Sequence, residues 1–465
     1  MNSTRLTRHE LLTRSAAGLA ALGLTGTSTV TDALAASTAS TASVPFYTVE
    51  SDPPSIVWLN QAAASYQAHG HPDFRLDEVV LNDSNRLERE LIGFSTKTDL
   101  GIFTVAQPYI ETWVNAGYLL PLDRVVQSIG PSDFLPGLRV VLNGHDWVMP
   151  YQVNAYSLWC RTDLLAKVGM QPPRTYDEWL AAAKALTRNG TYGVAMPVAP
   201  DATTLNFFSP FVYQSGWDYF DKEGNVTFAQ PEVLDGVKRF VNLMRYAPPQ
   251  LYNGTFIDVI NSYIAGRVAM GVYPGRLGAN LVAKAPALAE HTTVVPVPAG
   301  PFMTGKILNS NIGYYAIDRA TRYPAEALDF LKYISTGQQQ LAWGMTVPGQ
   351  LLPFLKSVEH LLQHYHSPFM NKYGAWVRSQ ASWVSNGLAA QLNMGSVNNG
   401  HFKKIVNFCP WASKVWGTTT LDGNMLQEIL LNGQAPEAAW KSASQQMKKI
   451  VADYKRANPS WHPTA

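Results

Sequence analysis

Residues 147–160 read WVMPYQVNAYSLWC, a run that combines flat aromatic rings with neutral amides. These side chains are Trp147, Tyr151, Gln152, Asn154, Tyr156 and Trp159. A strand in an apolar core needs the rings but not the amides, whereas a cleft for a neutral polar ligand uses both. Because side chains alternate along a strand, Gln152, Asn154 and Tyr156 are expected to share one face. The run is therefore interpreted as a strand at a binding cleft.

The composition indicates a folded protein of two or three domains. The chain has 465 residues, of which 46% are hydrophobic and 15% are charged, and this length exceeds what one hydrophobic core usually serves. The net charge is only +2, and no basic stripe is present, which argues against nucleic acid as a partner. Strand and helix patterns alternate along the chain, which indicates an α/β architecture.

The first 35 residues have the layout of an export signal peptide. Three arginines precede a short apolar run at 16–24, and Ala33 and Ala35 supply the small residues of a cleavage site. Residues 7–12, TRHELL, resemble the twin-arginine export motif with His9 in place of the second arginine. The twin-arginine route and the general secretory route therefore both stay open. Residues 36–43 are expected to form a flexible tail. No cysteine lies near the cleavage site, so we expect a periplasmic protein without a lipid anchor.

Five ordered segments carry a family resemblance. They are residues 99–123, 148–165, 168–179, 263–275 and 432–439, which include DLGIFTV, VMPYQVN, VGMQPPRTYDEW, YIAGRVAM and NGQAPEAA. In this order they resemble the extracellular solute-binding proteins (family 1) of ABC importers, in the maltose-binding-protein-like branch that carries sugars and oligosaccharides. The start of the chain, 44–98, matches the family pattern only loosely.

The resemblance implies a two-lobed periplasmic-binding-protein fold of type II, with hinge strands that cross between two α/β lobes. The first lobe would comprise 44–150 with part of about 305–350, and the second 151–304 with the C-terminal helices of about 351–456. The crossings are expected near 150–157 and around Asn311. The implied function is to capture a sugar or oligosaccharide between the lobes and deliver it to an ABC permease in the membrane. No catalysis, cofactor or metal is expected, and the protein is expected to be a monomer.

Candidate ligand-binding residues follow from the resemblance and from sugar chemistry, in which rings cover C–H faces and polar groups bind hydroxyls. They are Gln107, Tyr109, Asn154, Phe207, Trp217, Tyr273, Arg276, Asn311, Trp376 and Trp383. Gln107 and Tyr109 follow an apolar strand at its carboxyl end, where open α/β sheets bind ligands. Trp376 and Trp383 are seven residues apart on a predicted helix, a spacing that is also typical of a core.

Three alternatives stay open. An exported carbohydrate-active enzyme, a lyase or a hydrolase, is the rival function, because a catalytic carboxylate pair is assembled only in space. Residues 360–366 contain three histidines with helical spacing that can bind zinc, although a solvated helix face explains them as well. Cys160 and Cys409 can form a disulfide or remain two small buried side chains.

Overall fold

The computed structural model describes residues 41–81, 85–221, 223–300, 308–309, 311–390 and 409–462. The strands are β1 (Ala42–Thr48), β2 (Phe74–Val80), β3 (Ile102–Val105), β4 (Val141–Leu142), β5 (His145–Asp146), β6 (Met149–Val153), β7 (Ser157–Arg161), β8 (Met270–Tyr273), β9 (Thr292–Val295), β10 (Leu308–Asn309), β11 (Ile312–Ile317) and β12 (Ala389–Ala390). The predicted export signal lies outside the described residues. Strand β1 begins at Ala42, so the last two residues of the predicted tail 36–43 belong to a strand.

Helices occupy most of the remaining described chain. They are α1 (Pro53–Ala68), α2 (Arg86–Thr96), α3 (Ile110–Asn115), α4 (Asp123–Ile129), α5 (Thr162–Lys167), α6 (Tyr176–Leu186), α7 (Thr204–Tyr213), α8 (Pro231–Met244), α9 (Phe256–Ile264), α10 (Arg276–Lys284), α11 (Pro286–Ala289), α12 (Pro324–Ile334), α13 (Gly337–Gly344), α14 (Lys356–Gln363), α15 (Pro368–Ser385), α16 (Leu421–Leu430) and α17 (Pro436–Ala457). Within the described segments, no helix combines the length and apolar composition that crossing a membrane requires.

A five-stranded sheet in the order β2-β1-β3-β11-β6 forms the centre of the first lobe. Strands β1, β2 and β3 are parallel, and β11 runs antiparallel to both β3 and β6. The sequence of β3 is IFTV, and all four residues are buried, as expected for a strand covered on both faces. The parallel strands end at one edge of this sheet, which is where ligands bind in open α/β folds.

A three-stranded sheet in the order β8-β7-β9 forms the centre of the second lobe. Strand β7 lies in the middle and pairs antiparallel with both neighbours, with Ser157 opposite Tyr273. Every residue of β7 and β8 is buried. Helix α9 packs beside β8, and helices α16 and α17 pack on α7 and α8. These elements close the core of this lobe.

The run quoted at the start crosses from one lobe to the other. Strand β6 belongs to the first sheet and β7 to the second, with residues 154–156 between them. The predicted crossing near 150–157 is thus confirmed, but the single continuous strand is wrong because the chain leaves one sheet before it enters the next. The second crossing lies between β9 and β11, as the expectation around Asn311 required. The predicted two-lobed α/β architecture is confirmed.

After β11 the chain first stays on the first lobe. The indole of Trp343 in α13 donates to the Tyr151 carbonyl at 2.7 Å, and the Leu352 amide donates to the Val153 carbonyl at 2.9 Å. Helix α15 instead packs on the second lobe, where Trp376 contacts Trp159. All described residues group into a single compact unit, so the predicted limits of the two lobes stay a prediction.

Candidate functional site

Two asparagines meet where the chain crosses between the lobes. Asn154 follows β6 and is fully buried, and its Oδ1 accepts a hydrogen bond from the Asn311 backbone amide at 3.3 Å. The Asn154 Nδ2 is also buried and has no hydrogen-bond partner among the described residues. An unpaired buried amide costs free energy unless another group accepts its hydrogen. The Asn154 Nδ2 is therefore a buried donor at the crossing that has no acceptor among the described residues.

Three aromatic rings of the second lobe pack beside this crossing. Tyr156 lies between the strands, Phe207 is on α7, and Tyr273 ends β8. The ring of Tyr156 is 5.0 Å from that of Phe207 and 6.5 Å from that of Tyr273, centroid to centroid. The backbone carbonyl of Tyr273 accepts from the Trp159 indole at 2.8 Å, which fixes this strand end. Of the four aromatic residues in the opening run, Tyr156 is thus the one in this cluster.

Arg276 begins α10 of the second lobe and reaches across to the first lobe. Its Nη2 lies 2.7 Å from the Glu50 carboxylate, and its Nη1 forms an ion pair with Asp52. Glu50 and Asp52 follow β1, at the edge of the sheet where the parallel strands end. The Arg276 backbone amide also donates to the Gln350 side-chain oxygen at 3.4 Å. Arg276 was predicted to contact ligand, and its guanidinium is engaged here with two carboxylates of the other lobe.

The two lobes also approach each other through two glycines. A Cβ on Gly275, just before α10, would lie 2.0 Å from the carbonyl carbon of Gly349 in the first lobe. Gly349 itself has φ +81°, a backbone conformation that favours glycine. Contact this close between two backbones leaves no room for a side chain on Gly275.

Gln107 and Tyr109 lie in a 3-10 turn after β3, as predicted from their place at a strand end. The Tyr109 ring stacks on Trp113 at 5.9 Å, and a Cβ on Gly417 would lie 2.2 Å from its hydroxyl. Gly417 is in a π-helix, Ser413–Thr418, that packs with α16 and α17 on the second lobe. This edge of the first lobe therefore also contacts the second lobe.

Glu111, in the first turn of α3 and two residues after Tyr109, is buried at the same boundary. Burial raises the pKa of its carboxyl to about 8, while hydrogen bonds from Trp461 and Asn115 act in the opposite direction. Trp461 belongs to the chain end that follows α17 and packs on Trp411 at 5.0 Å. The C-terminal segment thus connects a second-lobe core residue to a first-lobe helix.

The three remaining candidates, Trp217, Trp376 and Trp383, lie in other surroundings. The Trp217 indole donates to Glu232 at 3.2 Å, which ties this half-buried ring to the start of α8. Trp376 is 5.2 Å from Trp159 and belongs to the core between α15 and β7. Trp383, on the same helix, is partly buried against the core. The structure thus brings Asn154, Asn311, Phe207, Tyr273, Arg276 and Tyr109 to the lobe boundary, whereas the contacts of Trp217 and Trp376 given above lie within the second lobe.

Two buried acids lie inside the second lobe, away from the crossing between the lobes. Asp218 and Asp422 are fully buried in the second lobe, and burial raises the pKa of each carboxyl to about 7. The Tyr219 hydroxyl donates to Asp422 at 2.7 Å. Both carboxyls are enclosed in the core of the second lobe.

The histidines considered for a zinc site lie at the surface, and the two cysteines lie in the core. His360 on α14 and His364, which directly follows this helix, are exposed, and their ring centroids are 4.8 Å apart. Among the residues that the structure describes, no three His, Cys, Asp or Glu side chains form a metal-binding group. Cys160 and Cys409 are both free and buried, so they are not joined by a disulfide. Burial raises the pKa of each thiol, which keeps both unreactive.

The sequence reasoning missed Glu50, Asp52 and Gln350. The first two follow a predicted strand, at the type of edge that singled out Gln107. This positional signal was present for Glu50 and Asp52, but their segment matches the family pattern only loosely. Gln350 lies in a loop between α13 and α14, and no sequence pattern marks it.

Known proteins show the same sequence pattern. The pattern of bacterial extracellular solute-binding proteins matches residues 89–341, more than half of the chain. YcjN of Escherichia coli (strain K12), whose name places it among ABC transporter periplasmic-binding proteins, is 25% identical over 240 residues. That match covers 50% of this chain and 54% of YcjN, so the chain spans about half the length of this relative.

Solved structures share the fold. Maltose-bound MalE3 of T. maritima superposes with a TM-score of 0.71 at 18% identity, over 88% of this chain and 100% of MalE3. The GacH receptor of Streptomyces glaucescens gives a TM-score of 0.73 at 18% identity, over 89% of this chain and 100% of GacH. These likenesses agree with the two sheets and the crossings described above. With its fold and the match over 89–341, the chain belongs to the bacterial extracellular solute-binding proteins.

Proposed function

We propose that this protein is the substrate-binding component of an ABC importer, which captures a sugar or oligosaccharide between its lobes and delivers it to a membrane permease. The observation that carries this proposal is the Asn154 Nδ2, a fully buried donor without a partner among the described residues. It lies at the crossing between the lobes, where Asn311 and the ring cluster also lie.

The chemistry of these groups suits a sugar. Aromatic rings such as Tyr156 and Tyr273 cover the apolar C–H faces of a pyranose, while the Asn154 amide binds its hydroxyls. Contacts from both lobes favour the closed arrangement, so ligand shifts the population towards it. The bound sugars and polyols named for structural neighbours, maltose for MalE3 and D-mannitol for an Agrobacterium vitis protein, support this class of ligand.

We further propose that the protein acts as a monomer in the periplasm, without catalysis and without binding nucleic acid. Its relative YcjN bears the name of a periplasmic-binding protein. Residues 1–35 would direct export, with the motif at 7–12 favouring the twin-arginine route. The substitution Arg8→Lys in a reporter fusion tests this route. We expect it to reduce export through the twin-arginine route, whereas export through the general secretory route would continue unchanged.

A thermal-shift screen tests the function. The purified protein is mixed with mono-, di- and oligosaccharides, polyols, sugar acids and amino acids, and the melting temperature is measured at increasing concentrations. We expect a saturable rise with one sugar or polyol class, because a ligand that binds only the folded state stabilises it. Chromatography should then recover that ligand chemically unchanged.

Two outcomes would overturn the proposal. Turnover of the sugar during incubation would assign the protein to the exported carbohydrate-active enzymes instead. A rise with amino acids and with no sugar or polyol would keep the binding role but replace the ligand class.

Asn154→Ala is the matched variant, since it removes the unpartnered donor and should abolish the rise at low ligand concentration.

A further inference from the structure

The ion pairs of Arg276 connect residues that are distant in sequence and belong to different lobes. Arg276 leads α10 beside the second sheet, whereas Glu50 and Asp52 follow the first strand of the first sheet. The Arg276 and Glu50 side chains are 18% and 4% exposed, and that of Asp52 is 34% exposed. A guanidinium between two carboxylates, mostly shielded from water, forms stronger hydrogen bonds than a surface pair does.

Backbone contacts beside Arg276 also join the two lobes. Gly275 precedes Arg276 and lies against Gly349, and the Arg276 amide donates to Gln350 at 3.4 Å. Both contacts are between the second lobe and the α13–α14 loop of the first lobe. The arginine is therefore positioned by its own backbone to reach Glu50 and Asp52 only when the lobes lie together as described.

The charge count at this edge has a consequence for the ligand. One guanidinium faces two carboxylates, so the three side chains carry a net negative charge when all are ionised. An anionic ligand there would meet two like charges and would have to separate Arg276 from its partners, whereas hydroxyls and amines would find carboxylate acceptors.

We propose that Arg276 latches the two lobes through Glu50 and Asp52, and that this engagement makes the cleft select neutral or amine-bearing ligands over anionic ones. The part of the inference that concerns ligand selectivity rests on the proposed function. The latch itself acts without ligand. It implies that the ligand-free protein already populates the closed arrangement, which ligand then stabilises further.

The latch is tested by distance measurement in the ligand-free protein. Gln61→Cys on α1 and Lys184→Cys on α6 place nitroxide labels on exposed positions of the two lobes, while the native thiols stay buried. Pulsed electron resonance then gives the distribution of distances between the labels. We expect Arg276→Gln to increase the share of long distances relative to short ones about tenfold, the change that 1.4 kcal/mol produces.

Matched variants separate the latch from general effects. Glu50→Gln should lengthen the distances in the same direction but by less than Arg276→Gln, because it leaves the ion pair with Asp52 in place. The double variant should add little to Arg276→Gln alone, because Arg276→Gln already removes the pair with Glu50. Arg139→Gln is the control, since Arg139 pairs with Asp146 at 2.7 Å inside the first lobe and should leave the distances unchanged. Asp52→Asn, at the more exposed partner, serves if Arg276→Gln does not fold. An Arg276→Gln or Asp52→Asn distribution identical to the wild type would overturn the latch.

The charge selectivity is tested with glucose against glucuronate and galactose against galacturonate in the thermal-shift assay. We expect no uronate to raise the melting temperature of the wild type. A uronate that stabilises the wild type but not Arg276→Gln would show that Arg276 receives an anion, and would overturn the inference. Failure of every sugar in the wider screen would count against the proposed function, while the ligand-free distances would still decide the latch.

Discussion

At the scale of single residues, Asn154 has two separable tasks. Its Oδ1 accepts from the Asn311 amide at 3.3 Å, and its Nδ2 is the unpartnered donor. Asn154→Ala leaves a backbone N–H at the crossing without its acceptor, so we expect the free energy of unfolding to fall by about 1–3 kcal/mol. Asn311→Ala is the control, because it keeps the backbone donor. Urea unfolding of both variants measures the difference, and equal losses would contradict this role of Asn154.

Two buried carboxyls should make the stability of the protein depend on pH. Burial raises the pKa of Asp218 and of Asp422 from the usual 3.8 to about 7. The folded protein therefore holds two protons that the unfolded chain releases above about pH 4. Their stabilising contribution is full below that pH and is lost as the pH rises through 7. Because one pKa unit corresponds to about 1.4 kcal/mol, the rise of each pKa from 3.8 to about 7 makes the loss on the order of 4 kcal/mol for each carboxyl.

Denaturant unfolding at a series of pH values between about 4 and 8 measures this dependence. Asp218→Asn and Asp422→Asn should each flatten the curve, since an amide cannot lose the proton. Glu437→Gln is the control, because that carboxyl is exposed and its pKa is lowered by Lys441. It should leave the slope unchanged near neutral pH. Parallel curves for the wild type and both asparagine variants would rule out these two carboxyls as its source.

At the scale of elements, helix α6 begins with a capping box formed by Thr175 and Glu178, in the Thr-x-x-Glu pattern typical of a helix start. The Thr175 side chain accepts from the Glu178 amide at 3.3 Å, and the Glu178 carboxylate accepts from the Thr175 amide at 3.2 Å. Thr175→Ala removes the cap and should lower the free energy of unfolding by about 1 kcal/mol. Thr175→Ser keeps a hydroxyl acceptor and should cost less. Thermal unfolding of the two variants compares them, and equal melting temperatures would contradict the cap.

This cap could be predicted because its partners are three residues apart in sequence. The opening run shows the opposite case. Its apolar and aromatic residues predict a buried strand. Because the residues on both sides of the crossing are buried, the sequence pattern does not show that the chain changes sheets after Val153. A period-2 pattern carries no information about which sheet a strand joins. The predicted shared face of Gln152, Asn154 and Tyr156 fails for this reason, since the last two lie outside both strands.

At the scale of the whole molecule, the family resemblance predicted two lobes and both crossings, because five ordered segments reflect one chain path. It could not predict which side chains meet across the lobes. Arg276 is separated from its partners Glu50 and Asp52 by 226 and 224 residues, and the arrangement of the two lobes in the structure brings them together. From the sequence, an arginine near a predicted cleft is interpreted as a ligand-binding residue. Its carboxylate partners can be identified only from the three-dimensional structure.

The contact between the lobes at Gly275 leaves no space for a side chain. A methyl group there would lie 2.0 Å from the carbonyl carbon of Gly349 and 2.4 Å from its Cα. Since both obstacles are backbone atoms, they cannot turn aside as a side chain would. We therefore expect Gly275→Ala to shift the ligand-free distance distribution between labels at positions 61 and 184 towards longer values. Affinity for the sugar found by the screen should fall at the same time, because closure supplies part of the binding free energy.

A clash inside one lobe provides the matched control. A Cβ on Gly236 in α8 would lie 2.5 Å from the Phe211 carbonyl oxygen of α7, within the second lobe. Gly236→Ala should lower the melting temperature but leave the distances between the lobes unchanged. Gly275→Ala should change those distances, because its clash exists only while the lobes are together and is relieved by opening. An unchanged distribution for Gly275→Ala would mean that the second lobe accommodates the methyl group without opening, and that the glycine contact does not limit closure.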